Sequence, residues 1–160
     1  MSNLKSKLKR LNIQNIKLKS GRTIVDELKY HAAVLADCII SELDGVYDSY
    51  TPKVWRRDYS LYNSLCIDDF VEIRTSSKGT ELSIKLYFDE GAYHDSFDGQ
   101  RVNTAVLINE GWQTHGSFKD VPYLGYRSGE HFIEKGIERY KSKVKRPFAV
   151  KLTINNEERM

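Results

Sequence analysis

From Thr23 onward large apolar residues recur every third or fourth position: Ile24, Leu28, Ala32, Leu35, Ile39, Leu43 and Val46. That is the period of an amphipathic helix, here of about six turns. Thr23 and Asp26 stand at its start with capping-box spacing. The aliphatic stripe needs a sheet or a second helix to cover it. Residues 70–74 and 82–88 instead alternate apolar with polar (Val71, Ile73; Leu82, Ile84, Leu86), and Ser76-Ser77-Lys78-Gly79 between them predicts a β-hairpin. Residues 104–111 predict a short helix. Residues 130–143 resume helical spacing with Phe132, Ile133, Ile137 and Tyr140, preceded by Ser128-Gly129 as a cap. Phe148, Val150, Leu152 and Ile154 alternate over 147–155 and predict a last strand.

The predicted fold is α+β: a long N-terminal helix packed on a three-stranded antiparallel sheet, with additional short helices and long loops. The core should hold Leu28, Leu35, Ile39, Leu43, Val71, Ile73, Ile84, Leu86, Val150 and Leu152. Two segments read as loops. One is 47–65, with a single helical turn near Leu61; the other is 89–102, rich in Gly, Asp and Ser. A connection as long as the first favours a function for it.

Size and composition fit this picture. The 160 residues are 40% hydrophobic, enough for one ordinary domain core. No apolar run approaches the roughly 18 to 20 residues of a membrane span, and the N-terminus lacks the apolar core of a secretory signal, so the expectation is a chain that stays in the cell that makes it. Cys38 and Cys66 are then expected as reduced, buried thiols.

Charge divides the chain. Lys5, Lys7, Lys9, Arg10, Lys17, Lys19 and Arg22 give residues 1–22 seven positive charges and no acid, although the whole chain carries only +3. The remaining 138 residues therefore hold 18 basic and 22 acidic side chains, a net of −4. The basic character belongs to an arm (1–22), followed by one α+β domain (23–155) and a short tail (156–160). Looser helical spacing at Leu4, Leu8 and Leu11 predicts a short helix within the arm. The arm is a candidate contact for DNA through salt-dependent phosphate neutralisation, or for a protein partner.

Candidate catalytic chemistry is sparse. His31, His94, His115 and His131 lie at no recognised metal-ligand spacing, and the cysteines form no C-x-x-C pair. Asp89, Glu90, Asp95 and Asp98 gather carboxylates in one loop without the ligand spacing of an EF-hand. Ser64 beside Cys66 has no base in sequence to activate it, and no glycine-rich phosphate loop occurs. No catalytic residue, cofactor or metal is expected.

Residues 47–62, by contrast, concentrate Tyr47, Tyr50, Trp55, Arg56, Arg57, Tyr59 and Tyr62 around Pro52. Tyr, Trp and Arg dominate protein interfaces, which makes Tyr50, Pro52, Trp55, Arg56, Arg57, Tyr59 and Tyr62 the candidate assembly surface. The plainer alternative is that Trp55 and some of the tyrosines close the open end of the core.

Within that segment Tyr50-x-Pro52-x-x-Trp55-x-Arg57-x-x-x-Leu61-x-x-Ser64 resembles a motif of the small neck and tail-completion proteins of tailed bacteriophages, placed after a long first helix as it is there. Trp55 stands for the usual tyrosine, Asp58 for a threonine and Tyr59 for a small residue. Further on, Ile108-Asn109-Glu110-Gly111 and Arg127-x-Gly129-x-x-Phe132-Ile133-Glu134-x-Gly136-Ile137 look like a second conserved region of that family. The resemblance implies a virion structural protein that forms a homo-oligomeric ring between portal and tail, or at the tail end, in contact with other neck, portal or tail proteins. A nucleic-acid-binding module using the basic arm, and a small metal-dependent hydrolase using the acidic loop, are the competing expectations.

Overall fold

The structure is a computed structural model that describes residues 15–49, 59–95, 99–113 and 126–152. Its dominant element is helix α1, Ile24–Asp48. Thr23 and Asp26 close the expected capping box: the Asp26 amide donates to Thr23 Oγ1 at 3.1 Å and the Thr23 amide to Asp26 Oδ2 at 3.3 Å. Asp26 and Glu27 in the first turn complement the positive end of the helix dipole. At the far end Ser49 closes the helix, its amide donating to the carbonyls of Gly45 and Val46 and its hydroxyl to Val46 at 2.6 Å.

Short elements follow. Helix α2 is Ser60–Asn63, and the strands are β1, Leu65–Ile67; β2, Glu72–Ser76; β3, Gly79–Ser83; and β4, Leu86–Phe88. A 3-10 turn, Glu90–Ala92, leads into β5, Tyr93–Asp95, and β6, Arg101–Asn103. Helix α3 is Thr104–Glu110; β7, Gly111–Gln113, and β8, Tyr126–Ser128, precede helix α4, Phe132–Lys143. The fold is thus α+β, with a long first helix, short helices and short antiparallel strands.

The sheet differs from the expected three-stranded one. Among the described residues the strands pair antiparallel in four two-stranded ladders: β1 with β4, β2 with β3, β5 with β6, and β7 with β8. Two physical reasons stand out. The β2–β3 hairpin, in register Ile73↔Leu82, has a single cross-strand pair of large apolar residues and is otherwise mostly exposed, so it cannot cover a helix. Residues 86–88 belong to a different ladder, pairing Leu86 with Ile67 and Phe88 with Leu65. Residues 147–152 form no strand, and 153–155 lie outside the described residues. The segment 89–102 is not an open loop either: Asp89 Oδ1 accepts the Gly91 amide at 2.8 Å to start the 3-10 turn, and Tyr93 pairs with Asn103.

What covers α1 is helix α4. The buried face of α1 (His31, Ala32, Leu35, Cys38, Ile39, Leu43, Val46) meets Phe132, Gly136 and Tyr140, three residues spaced one turn apart. The closest approach is at Gly136, where a Cβ would lie 2.7 Å from Ile39 Cα, so only glycine lets the backbones come this near. Leu61, Ala92, Ala105 and Ile108 complete the core, with Leu65, Leu86, Phe88 and Val150 packed at its margin. Of the expected core, Leu35, Ile39, Leu43 and Val71 are buried. Leu28, Ile73 and Ile84 are half-buried, and Leu152 is exposed, at the end of a described stretch that joins no strand.

A polar bridge crosses the α1–α4 interface. His31, 7% exposed, places Nδ1 2.7 Å from the Tyr140 hydroxyl, and that oxygen accepts the Phe148 amide at 2.9 Å. The other ring nitrogen, Nε2, lies 3.7 Å from Glu27 Oε1. Burial pushes the Tyr140 phenol above its ordinary pKa, partly offset by the Phe148 amide.

Candidate functional site

The expected assembly surface is described in part. Tyr50, Pro52, Trp55, Arg56 and Arg57 lie outside the described residues; Tyr59 and Tyr62 lie within them. Tyr59 precedes α2 with φ 58°, in the left-handed region, which for a bulky side chain is a strained setting. It is 54% exposed. Its ring meets those of Tyr47 and Tyr62 edge-on, at centroid distances of 6.3 and 6.4 Å. Tyr62 is tied to α1, donating its hydroxyl to Asp44 Oδ2 at 3.0 Å, and burial together with that carboxylate pushes its phenol pKa up. Tyr62 therefore braces the ridge and Tyr59 presents it.

Leu61 and Ser64, the last two residues of the quoted motif, face inward. Leu61 is in the core, and the buried Ser64 donates its hydroxyl to the Leu61 carbonyl at 2.7 Å, ending α2. Ser64 thereby serves as a helix cap. A second exposed aromatic, Phe70, is 73% exposed on the turn where Asp68 Oδ1 accepts its amide at 3.0 Å. An open groove of about 390 Å3 runs beside it, lined by Asn15, Thr23, Asp26, Lys29, Asp69 and Val71 among others. The Asp26 carboxylate in that groove is held by the helix cap, and the Thr23 hydrogen bonds lower its pKa.

Of the arm, Lys5, Lys7, Lys9 and Arg10 lie outside the described residues. Residues 16–24 fold into a closed turn against the start of α1: the Ile24 amide donates to the Ile16 carbonyl at 2.9 Å and Lys17 bridges Thr23. Lys17 and Lys19 are exposed. Arg22 is engaged, its guanidinium 4.3 Å from the centre of the Tyr30 ring and 3.4 Å from Glu27.

Asp89 and Glu90 of the acidic loop are also engaged. Asp89 caps the 3-10 turn and accepts from Cys66 Sγ at 3.5 Å, Glu90 pairs with Arg101, and His94 Nδ1 lies 2.7 Å from Thr104 Oγ1. Asp98 lies outside the described residues. Both cysteines are free; Cys38 is buried and Cys66 only half so. Burial, then the Asp89 contact, raises the Cys66 thiol pKa.

The densest polar arrangement is one that sequence reasoning passed over, the joint between α3 and α4. Asn109 is fully buried, and its Nδ2 donates to Glu110 Oε1 at 2.9 Å and to Glu134 Oε1 at 3.2 Å. Its Oδ1 accepts the Ile133 amide at 3.0 Å. This is a helix cap delivered from another helix. His131, at the N-cap position of α4, supplies no side-chain bond to the helix and takes φ 50°, in place of the expected Ser128-Gly129 cap. The chain is pinned there by the Glu130 amide on Ile108 O at 2.9 Å and the His131 amide on Asn109 O at 3.1 Å. Gly129 is required for this approach, since a Cβ would sit 2.4 Å from Asn109 O.

The two segments of the second quoted region thus form one hydrogen-bonded unit. Glu110, His131 and Glu134 each place one ligand atom there, all within 4.8 Å of one another. His131 stands at no recognised metal-ligand spacing in the sequence, and the arrival of Glu110 was not foreseen. Searches of protein-family models, curated proteins and solved structures return no match to the chain.

Proposed function

We propose that this chain is a structural subunit of a ring in the head–tail connector, neck or tail terminus of a tailed-phage virion, made in the host cytoplasm and acting by assembly rather than catalysis. The observation that carries this reading is the ladder pattern. Four ladders of two strands each leave backbone donors and acceptors along their outer edges, among the described residues, and isolated two-stranded ladders are marginal in water. A neighbouring copy can complete such edges by strand addition, and a head-to-tail interface of that kind closes into a ring when its rotation closes. The exposed aromatics Tyr59 and Phe70 are anchors suited to such a contact. No helix among the described residues is long and apolar enough to cross a membrane.

Sedimentation of the full chain over a range of concentrations tests the reading. A ring former populates one discrete oligomer, and Tyr59→Ser with Phe70→Ser shifts it toward monomer without unfolding it. A monomer at every concentration, alone and with the portal-side and tail proteins of its particle, contradicts it.

The charge segregation of the sequence favours a second reading, in which the arm neutralises phosphates. Binding to duplex DNA that weakens steeply with salt and disappears on deletion of residues 1–22 is its signature. Retention of binding after that deletion removes the arm from consideration.

A further inference from the structure

We infer that the α3–α4 joint is a binding site for a divalent transition metal of the zinc type, with Glu110, His131 and Glu134 as ligands. Two features of this cluster point to a ligand independently. The first is the donor set: one imidazole and two carboxylates within 4.8 Å of one another, which suits a borderline-soft ion better than Mg2+ or Ca2+, whose preference is for oxygen alone. The second is Glu134 Oε2, which is shielded from solvent and has no hydrogen-bond partner, although its sister oxygen accepts from Asn109. A buried carboxylate oxygen left bare is costly, and a cation is the natural group to meet it.

The surroundings prepare the ligands. The Asn109 amide holds one oxygen of Glu110 and one of Glu134, drawing two like charges together and leaving their other oxygens available. Hydrogen bonds of this kind behind the ligand atoms are what orient metal ligands. His131 and Glu110 are exposed, so the ion has an entry path, and open positions remain for water. The left-handed backbone of His131 places its ring at the start of α4 instead of leading it into the helix. The positive end of the α4 dipole opposes a cation, but it is a partial charge, whereas two carboxylates bring two full negative charges. A zinc ion needs its ligands at about 2.0–2.2 Å, so small rotations of the exposed Glu110 and His131 side chains close the site.

The inference stands apart from the ring proposal, because a bound ion would fix the α3–α4 joint within one chain whether or not copies assemble. The test is zinc titration, by calorimetry, of the full-length chain stripped with chelator, alongside Glu134→Gln and His131→Asn. Asparagine is chosen because it tolerates the left-handed backbone. The expected result is one zinc per chain, a rise in melting temperature on binding, and at least a tenfold weaker affinity in each folded variant. Should Glu134→Gln fail to fold, His131→Asn and the wild-type cobalt(II) spectrum decide. A cobalt spectrum of nitrogen and oxygen ligands supports the site. A thiolate charge-transfer band would put the ion on a cysteine and overturn it, as would the lack of stoichiometric binding by the wild type or unchanged affinity in the variants.

Discussion

The Tyr140 hydroxyl and His31 Nδ1 stand 2.7 Å apart inside the interface between the two longest helices, with the Phe148 amide on the same oxygen. Tyr140→Phe removes one oxygen and leaves the buried His31 Nδ1 and the part-buried Phe148 amide without their partner. The cost should be about 1–3 kcal/mol in chemical denaturation, the desolvation penalty of an unmade buried bond. Tyr140 also makes stability pH-dependent. Its folded pKa is raised, so its contribution is fully present below the unfolded value of 10.0 and is lost as pH rises past 10 through the folded value. The wild type should lose stability in that alkaline window, and Tyr140→Phe should lose less.

Gly136→Ala separates helix propensity from packing. In an exposed helix the change stabilises by about 1 kcal/mol. Here the new Cβ meets Ile39 Cα at 2.7 Å, a backbone atom that cannot step aside, so α1 and α4 must separate. The expected net effect is a loss of about 1–3 kcal/mol, as for overpacked cores. A gain in melting temperature would mean that the helices are not this close.

The Thr23–Asp26 box gives a prediction at acid pH. Thr23→Ala should cost about 1 kcal/mol, as for other N-caps. Asp26 has a folded pKa below its ordinary 3.8, so its contribution is present above that value and is lost as pH falls below it through the folded pKa. Below that window wild type and Asp26→Asn should converge in melting temperature, after differing near neutrality.

Arg57 and Arg56 are neighbours in the aromatic segment, so comparing them separates one guanidinium from the next at equal loss of charge. A guanidinium can pair with a carboxylate and stack on Tyr or Trp. Arg57→Ala should reduce incorporation into particles with the monomer's melting temperature nearly unchanged, and by more than the neighbouring control Arg56→Ala. A fall in melting temperature that tracks assembly would instead make Arg57 an internal brace.

The sequence made some of this structure legible and hid the rest for definable reasons. The long helix, its cap and its buried stripe follow from local rules, because period and capping act within a few residues. So does α3, whose Asn103 side chain accepts from the amides of Ala105 and Val106. The covering of α1 by α4 was not foreseen because the close approach turns on Gly136, a residue with low helix propensity whose value appears only when Ile39 lies opposite. Strand alternation at 147–155 invited a strand, yet Phe148 is spent against His31, at a centroid distance of 4.5 Å. Asn109 was the least legible of all. Nothing in Asn109-Glu110-Gly111 announces that its side chain will cap a helix beginning more than twenty residues later, and the Glu110–His131–Glu134 cluster exists only through that contact.

The central claim is that the chain works as a ring subunit, and electron microscopy of the native assembly tests it most directly. Particles should show closed rings at the head–tail junction or tail terminus, built from copies of this chain, with neighbours meeting through ladder edges and the Tyr59 ridge. Finding the chain absent from purified particles, or present only as isolated copies without ring symmetry, would contradict the account.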